Sequence, residues 1–281
     1  MATISQVVTR VAVVQAVRKP EADVLRLLAS VNLTAVGSAL IFRADAKLVE
    51  SVCALPIQTE AADLERQQRL QRALVRHDAA LIAQLVDGDL ASALRPAIYG
   101  PGMNPRAAAK GVLADDLVLA AVIDAGRRPS PFVGLPSLQA LRELPGYTPQ
   151  AVGPGVASFT VPFRWPGDAR PGATASFSIN AREDHPRIGS GLSVYAHLPG
   201  FLDEPLAARI AQTLNVRESE GFFGPRFAGA WCVTVFGSSF SVGFVSFVPS
   251  AWGDSDAPTR LHVEMSQRMA RVAESFSPAV A

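Results

Sequence analysis

The sequence predicts an α+β fold, an antiparallel sheet with helices packed on one face, and it predicts two related domains of this kind. Three observations carry the prediction. The second half reads in order as three strands, a helix, two strands and a helix. The run FAGAWCVTVFGSSFSVGFVSFVPSAW (227–252) carries no charge and reads as a hairpin. Finally, ESVCALPIQTEAADLERQQRLQ, from Glu50, resembles LSVYAHLPGFLDEPLAARIAQ, from Leu192. Each has S-V-x-A, then L-P, then acidic residues, then an amphipathic helix with an arginine in its middle.

A chain of 281 residues can bury a core without metal or disulfide support. Its 26 basic residues nearly cancel its 25 acidic ones. A net charge of +1 gives no electrostatic footprint for nucleic acid or an anionic membrane. Cys53 and Cys232 lie far apart in apolar runs and read as buried free thiols. The N-terminal stretch is broken by Arg10 and has neither the basic nor the small-residue signature of a signal peptide, so a cytoplasmic location is expected.

The first unit is expected over 1–95. After Pro20, which suits a first helical turn, Val24, Leu27, Leu28 and Val31 fall on one helical face. Two strands follow around the polar turn Arg43 to Lys47. Thr59 then serves as N-cap of a long helix, with Glu60 and Asp63 complementing its dipole and Leu70, Leu74, Leu81 and Leu85 as its stripe. Residues 96–155 are dense in Pro and Gly and read as a connecting segment. Within it, AAAKGVLADDLVLAAVIDAG favours a helix through its alanines.

The second unit is expected over 156–281. Strands are centred on Phe159 and Val161, on Phe177 and Ile179, and on LSVYAHLP. A helix follows with Leu206, Ile210 and Leu214 as its stripe and Asp203 and Glu204 at its start. The closing helix carries Leu261, Met265, Met269 and Val272. Between these helices lies the charge-free run. It is long enough for a membrane span. However, it holds Gly229, Gly237 and Gly243 and Ser238, Ser239, Ser241 and Ser246, lacks leucine, and is rich in strand-favouring β-branched and aromatic residues. Two strands at about 228–236 and 240–248 are predicted, with no membrane span. Helices cover one face of that hairpin. The other, with Ser241, Gly243, Val245 and Phe247, packs on a close-lying helix or forms a groove or dimer face.

Catalytic signatures are sparse. The sequence holds neither GxxxxGK nor GxGxxG, and Ser193 in GLSVY lacks the last glycine of a nucleophile elbow. His77, His185, His197 and His262 show no metal-ligand spacing. The densest polar cluster is REDHPR, Arg182 to Arg187. Asp184 and His185 there are candidates for acid/base work, set against the plainer reading of a charged turn. Glu218 and Glu220 near a helix end give no reason to read a carboxylate dyad.

The stretches HPRIGSGLSVYAHLP, Leu214-Asn215, GAWCV (229–233), GFVSFVPSAW and a closing helix with Arg268 and Arg271 resemble the YbjN-type domain of the type III secretion chaperone-like fold. The resemblance implies a small α+β domain. It also implies cofactor-free relatives, some of them dimeric binders of extended partner segments and others regulatory proteins, with no catalytic residue to carry over. The expectation is therefore a non-enzymatic protein-binding, chaperone-like or regulatory protein with no cofactor or metal. It would bind a protein partner or itself through a sheet face or edge, with Phe222, Phe223, Phe240, Phe244 and Phe247 as contact candidates. The alternative is a small-molecule binder or enzyme with a site near the Arg182–Arg187 turn.

Overall fold

The computed structural model describes residues 8–16, 19–33, 39–56, 61–86, 105–149, 153–163, 165, 173–200, 203–221, 229–236, 239–251 and 254–274. In chain order these form β1 (Val8–Ala16), α1 (Glu21–Asn32), β2 (Ala39–Arg43), β3 (Leu48–Pro56), α2 (Ala61–Val86), α3 (Pro105–Gly126), α4 (Pro136–Ala140) and a 3-10 turn (Leu141–Glu143). Then follow β4 (Val156–Pro162), β5 (Thr174–Asn180), β6 (Gly191–His197), α5 (Glu204–Ser219), β7 (Gly229–Phe236), β8 (Ser239–Pro249) and α6 (Ala257–Glu274). The fold is α+β, with two antiparallel sheets ordered β1-β3-β2 and β4-β5-β6-β8-β7. Among the described residues no helix is long and apolar enough to cross a membrane.

The charge-free run is a hairpin, with Phe236 paired to Ser239 and Gly229 to Ser246. Strand period explains its composition: Trp231, Val242, Phe244 and Val248 point to one face with Phe159, Phe177, Ile179 and Val194. That face is the main core, closed by Leu261, Met265, Met269 and Val272 of α6 as their spacing predicted. In α5 the buried face is Ala207, Ala208, Ala211, Leu214 and Asn215, whereas Leu206 and Ile210 of the expected stripe are only half-buried. Alanines let α5 approach both β7 and α1 closely, so packing distance overrides side-chain size here. Asp203 caps α5, its carboxylate accepting the Leu206 N–H at 2.7 Å.

The interval 96–155 contributes more than a connection. Its described part holds α3, which packs on α2, and Phe132, Leu138 and Leu141, which are buried in the main core. Leu70 and Leu74 of α2 pack with Leu119 and Val122 of α3, with Ile188 and with Phe247. Arg72 joins α2 to α3 through a bidentate ion pair with Asp115 at 2.8 and 2.9 Å. The side chains of Leu81 and Leu85, and Thr59 as a cap, lie outside the described residues.

Two parts of the chain repeat one topology. β1-α1-β2-β3-α2 and β6-α5-β7-β8-α6 share element order, and their strands lie as β1-β3-β2 and β6-β8-β7. Glu21, Arg26 and Asn32 of α1 each stand 183 residues before Glu204, Arg209 and Asn215 of α5. Strand register gives the same interval independently. Leu40 pairs with Ser51 and Ser51 with Val13, while Trp231 pairs with Phe244 and Phe244 with Ala196. Val13 and Ala196 are again 183 residues apart. The strand at Leu192 therefore corresponds to β1, not to the strand at Glu50 as the sequence similarity suggested. A strand, a proline and acids at a helix start is general junction chemistry, so the pattern recurs at non-equivalent places.

The repeats meet reciprocally, as in an isologous interface. α1 packs on α5 and on β7, and α5 packs on β2. Ala29 and Val233 share one small cluster, and Ala39 and Ile41 meet Ala230 in another. Gln212 donates to the Phe42 carbonyl at 2.6 Å, Arg43 reaches Ser219 at 3.0 Å, and Arg26 pairs with Glu204 at 3.2 Å.

Candidate functional site

The aromatic residues singled out in the sequence do not form one surface. Phe244 is 1% exposed, with the Arg268 guanidinium 4.3 Å from its ring centroid and the Trp231 ring at 5.1 Å. Phe247 is also buried, between the His185 ring at 4.9 Å and the α2–α3 cluster. Both are interior side chains and present nothing to a partner. Phe240 is half-buried and lines a trough described below. Phe222 and Phe223 lie outside the described residues.

The Arg182–Arg187 turn is a fastening. Arg187 reaches across to the buried Asp78 of α2 at 2.5 Å, tying α2 to the second sheet. The Arg187 backbone N–H donates to His185 Nδ1 at 3.1 Å, while Asp184 projects to the surface. Gly189, with φ of +88°, closes the adjoining loop, where Ser190 N–H donates to the Gly126 carbonyl at 2.7 Å. These contacts hold His185 through its own turn, and Asp184 faces solvent.

The second face of the larger sheet divides in two. On the β8–β7 side, Ala230, Cys232, Val245 and Phe247 are buried. On the β4–β6 side, the same face carries a trough of about 530 Å³. Cross-strand pairing builds its walls. Ser158, Ser178 and Tyr195 form one row, and Thr160, Ser176 and His197 the next. Ser241 and Phe240 close one end, while Thr148 bonds Thr160 hydroxyl to hydroxyl at 2.8 Å. Phe159, Phe177 and Ala196, which lie between these positions and belong to the core side, complete the lining. Among the described residues that line it, none is charged.

His197 is the trough's titratable centre. Its Nε2 lies 3.0 Å from Ser241 Oγ, which is itself 3.0 Å from Thr234 Oγ1. Burial holds the imidazole below the ordinary histidine range, favouring the neutral ring. Burial chiefly, with Cys232 and Glu183 adding, pushes the Tyr195 phenol up to about 12. Ser241 Oγ thus stands between the His197 ring and the Thr234 hydroxyl, inside a neutral hydrogen-bonded cluster. The arrangement offers hydrogen bonds from neutral groups.

Edge strands offer less. Asn32 and Asn215 occupy the backbone of Leu40 and Trp231, and Gln212 occupies Phe42. Along β4, Thr148 N–H donates to the Ser158 carbonyl and Thr160 N–H to that of Gly146, both at 2.8 Å. These contacts fill positions that an added strand would need.

Comparison of the chain with protein-family models, with curated proteins and with solved structures gives no match. The trough residues escaped the sequence reading because outward-facing polar positions on a strand ordinarily mean solvent. A signal was nevertheless present. The outward positions of three strands are hydroxyls (Ser158, Thr160, Ser176, Ser178), a tyrosine and a histidine, with none of the lysines, arginines or glutamates of a solvated face.

Proposed function

We propose that the chain is a non-catalytic binding protein, chaperone-like in the sense of holding an extended, uncharged segment of a partner polypeptide in the hydroxyl-lined trough. The carrying observation is the spacing of that lining. Residues i and i+2 on a strand lie roughly 6.6–6.8 Å apart, so Ser158 and Thr160, Ser176 and Ser178, and Tyr195 and His197 repeat at the period of an extended peptide. A peptide running along the strands meets a neutral hydrogen-bonding group at every second residue. The neutral groups of the described lining favour neutral partners, because a charged side chain set against them would shed water without an opposite charge in return. The resemblance to secretion-chaperone domains supports the same reading.

A photo-crosslinking amino acid placed at Ser178 in the full chain, in cells, tests this. A discrete protein adduct at Ser178, absent when the probe replaces the exposed Leu113, is expected. Identical labelling at both positions, or none at Ser178, would remove the reading.

A further inference from the structure

Within the trough, one group is set apart. Ser158 is 4% exposed, and its Oγ has no hydrogen-bond partner among the described residues. It lines the trough in the row with Ser178 and Tyr195. A buried hydroxyl without a partner destabilises the fold that carries it, and nearby hydroxyls show the usual remedy: Ser190 and Ser250 bond each other at 2.8 Å, as do Thr148 and Thr160.

We propose that Ser158 is the anchor of the trough and that the group it takes is a neutral peptide amide from the bound segment. The proposal rests on the peptide-binding reading above and names its central contact. A serine hydroxyl donates one hydrogen bond and accepts others, so it matches both the carbonyl and the N–H of a peptide unit. Ser178 and Tyr195, on the adjacent strands of the same row, supply further hydroxyls. Against the described lining, which is uncharged, a carboxylate or guanidinium would lose hydration without an ion pair.

The consequence for stability is unusual. Ser158→Ala removes a hydroxyl that bonds nothing among the described residues, so its melting temperature should equal or exceed that of the wild type. Ser190→Ala, which breaks the bond to Ser250, should melt lower. Binding should move the other way. With N-methylacetamide as probe, saturable amide shifts in two-dimensional NMR are expected at 158, 160, 176, 178, 195 and 197, with affinity at least about 5-fold weaker in Ser158→Ala. That loss corresponds to roughly 1 kcal/mol, the typical size of one hydrogen bond. Acetate, methylguanidinium and glycerol serve as charged and polyol controls and should shift these residues little.

Equal affinity in Ser158→Ala, or stronger shifts from acetate, methylguanidinium or glycerol, would overturn the anchor. If crosslinking at Ser178 still captures a partner, the peptide-binding reading survives that result. Loss of both the crosslink and the N-methylacetamide shifts would overturn the two together.

Discussion

Asn32 and Asn215 do the same work at equivalent places in the two repeats. Asn32 ends α1 and Asn215 lies in the second half of α5, each helix packs on an edge strand, and each asparagine is 1% exposed. Asn32 accepts the Leu40 N–H at 2.9 Å and donates to the Leu40 carbonyl at 3.1 Å. Asn215 does both to Trp231 at 2.8 Å. A side-chain amide presents a donor and an acceptor side by side, as a neighbouring strand would, so each asparagine closes an edge that would otherwise lack partners.

Replacing either asparagine by alanine strands a buried N–H and a buried carbonyl. Asn215→Ala and Asn32→Ala should each cost about 2–4 kcal/mol, read as a fall in the urea midpoint at unchanged slope. Asn215→Asp should not rescue, because a carboxylate cannot donate to the Trp231 carbonyl.

Glu218 and Arg268 join α5 to α6 beneath the sheet. Arg268 Nε lies 2.6 Å from Glu218 Oε1, which also accepts the Trp231 indole N–H at 3.1 Å. Glu218→Leu should destabilise by about 3–5 kcal/mol because it leaves the arginine charge buried and unpaired. Pairing it with Arg268→Met should recover much of that loss. A double-mutant cycle by chemical denaturation measures the recovery.

Gly126 and Gly189 touch where α3 meets the loop before β6. A Cβ on Gly126 would lie 1.9 Å from the Ile188 carbonyl oxygen, whereas one on Gly134 would meet nothing within 4 Å. Gly126→Ala should cost about 1–3 kcal/mol through forced backbone shifts, and Gly134→Ala should be close to neutral. Thermal melts of the two variants compare them directly.

Acidification should weaken the fold through its histidines. Burial lowers the His197 and His262 pKa values in the folded state below the unfolded value near 6.5. Between the folded and unfolded values the unfolded chain binds more protons, so stability falls as pH drops through about 6.5 and the loss levels off below the folded values. Urea titrations from pH 8 to 5 should show this fall, and a variant with both histidines replaced by glutamine should show less of it.

The two cysteines should be silent in the native protein. Both are buried and free. Burial pushes the Cys232 thiol to about 12, and burial with the nearby Asp78 charge pushes Cys53 further. Neither should react with a thiol reagent at pH 8 until denaturant is added, when both should.

Much of the fold was legible in the sequence because it is local. The α6 stripe, the 227–252 hairpin and the acidic start of α5 follow from periodicity, glycine placement and the dipole of a single helix, and each stands where its residues put it. β1 was not legible as a strand, since VTRVAVVQA acquires its partner only from β3, some forty residues on. The α5 stripe misled because its neighbours select the alanine face. The core, rather than a partner, claims Phe244 and Phe247, because which face of a strand is covered depends on helices far away in the chain.

By itself the sequence determined the fold class, the order of elements after residue 156 and the hairpin nature of the charge-free run. Period and turn chemistry act over a few residues, and no distant contact can reverse them cheaply. The tertiary structure decided the rest: that two β-α-β-β-α units face each other, that Arg187 is spent on Asp78, and that Ser158, Ser178, Tyr195 and His197 stand together over an open face. Those four residues come from three strands, and only hydrogen-bond register, which the pairing of whole strands fixes, brings them into adjacent rows.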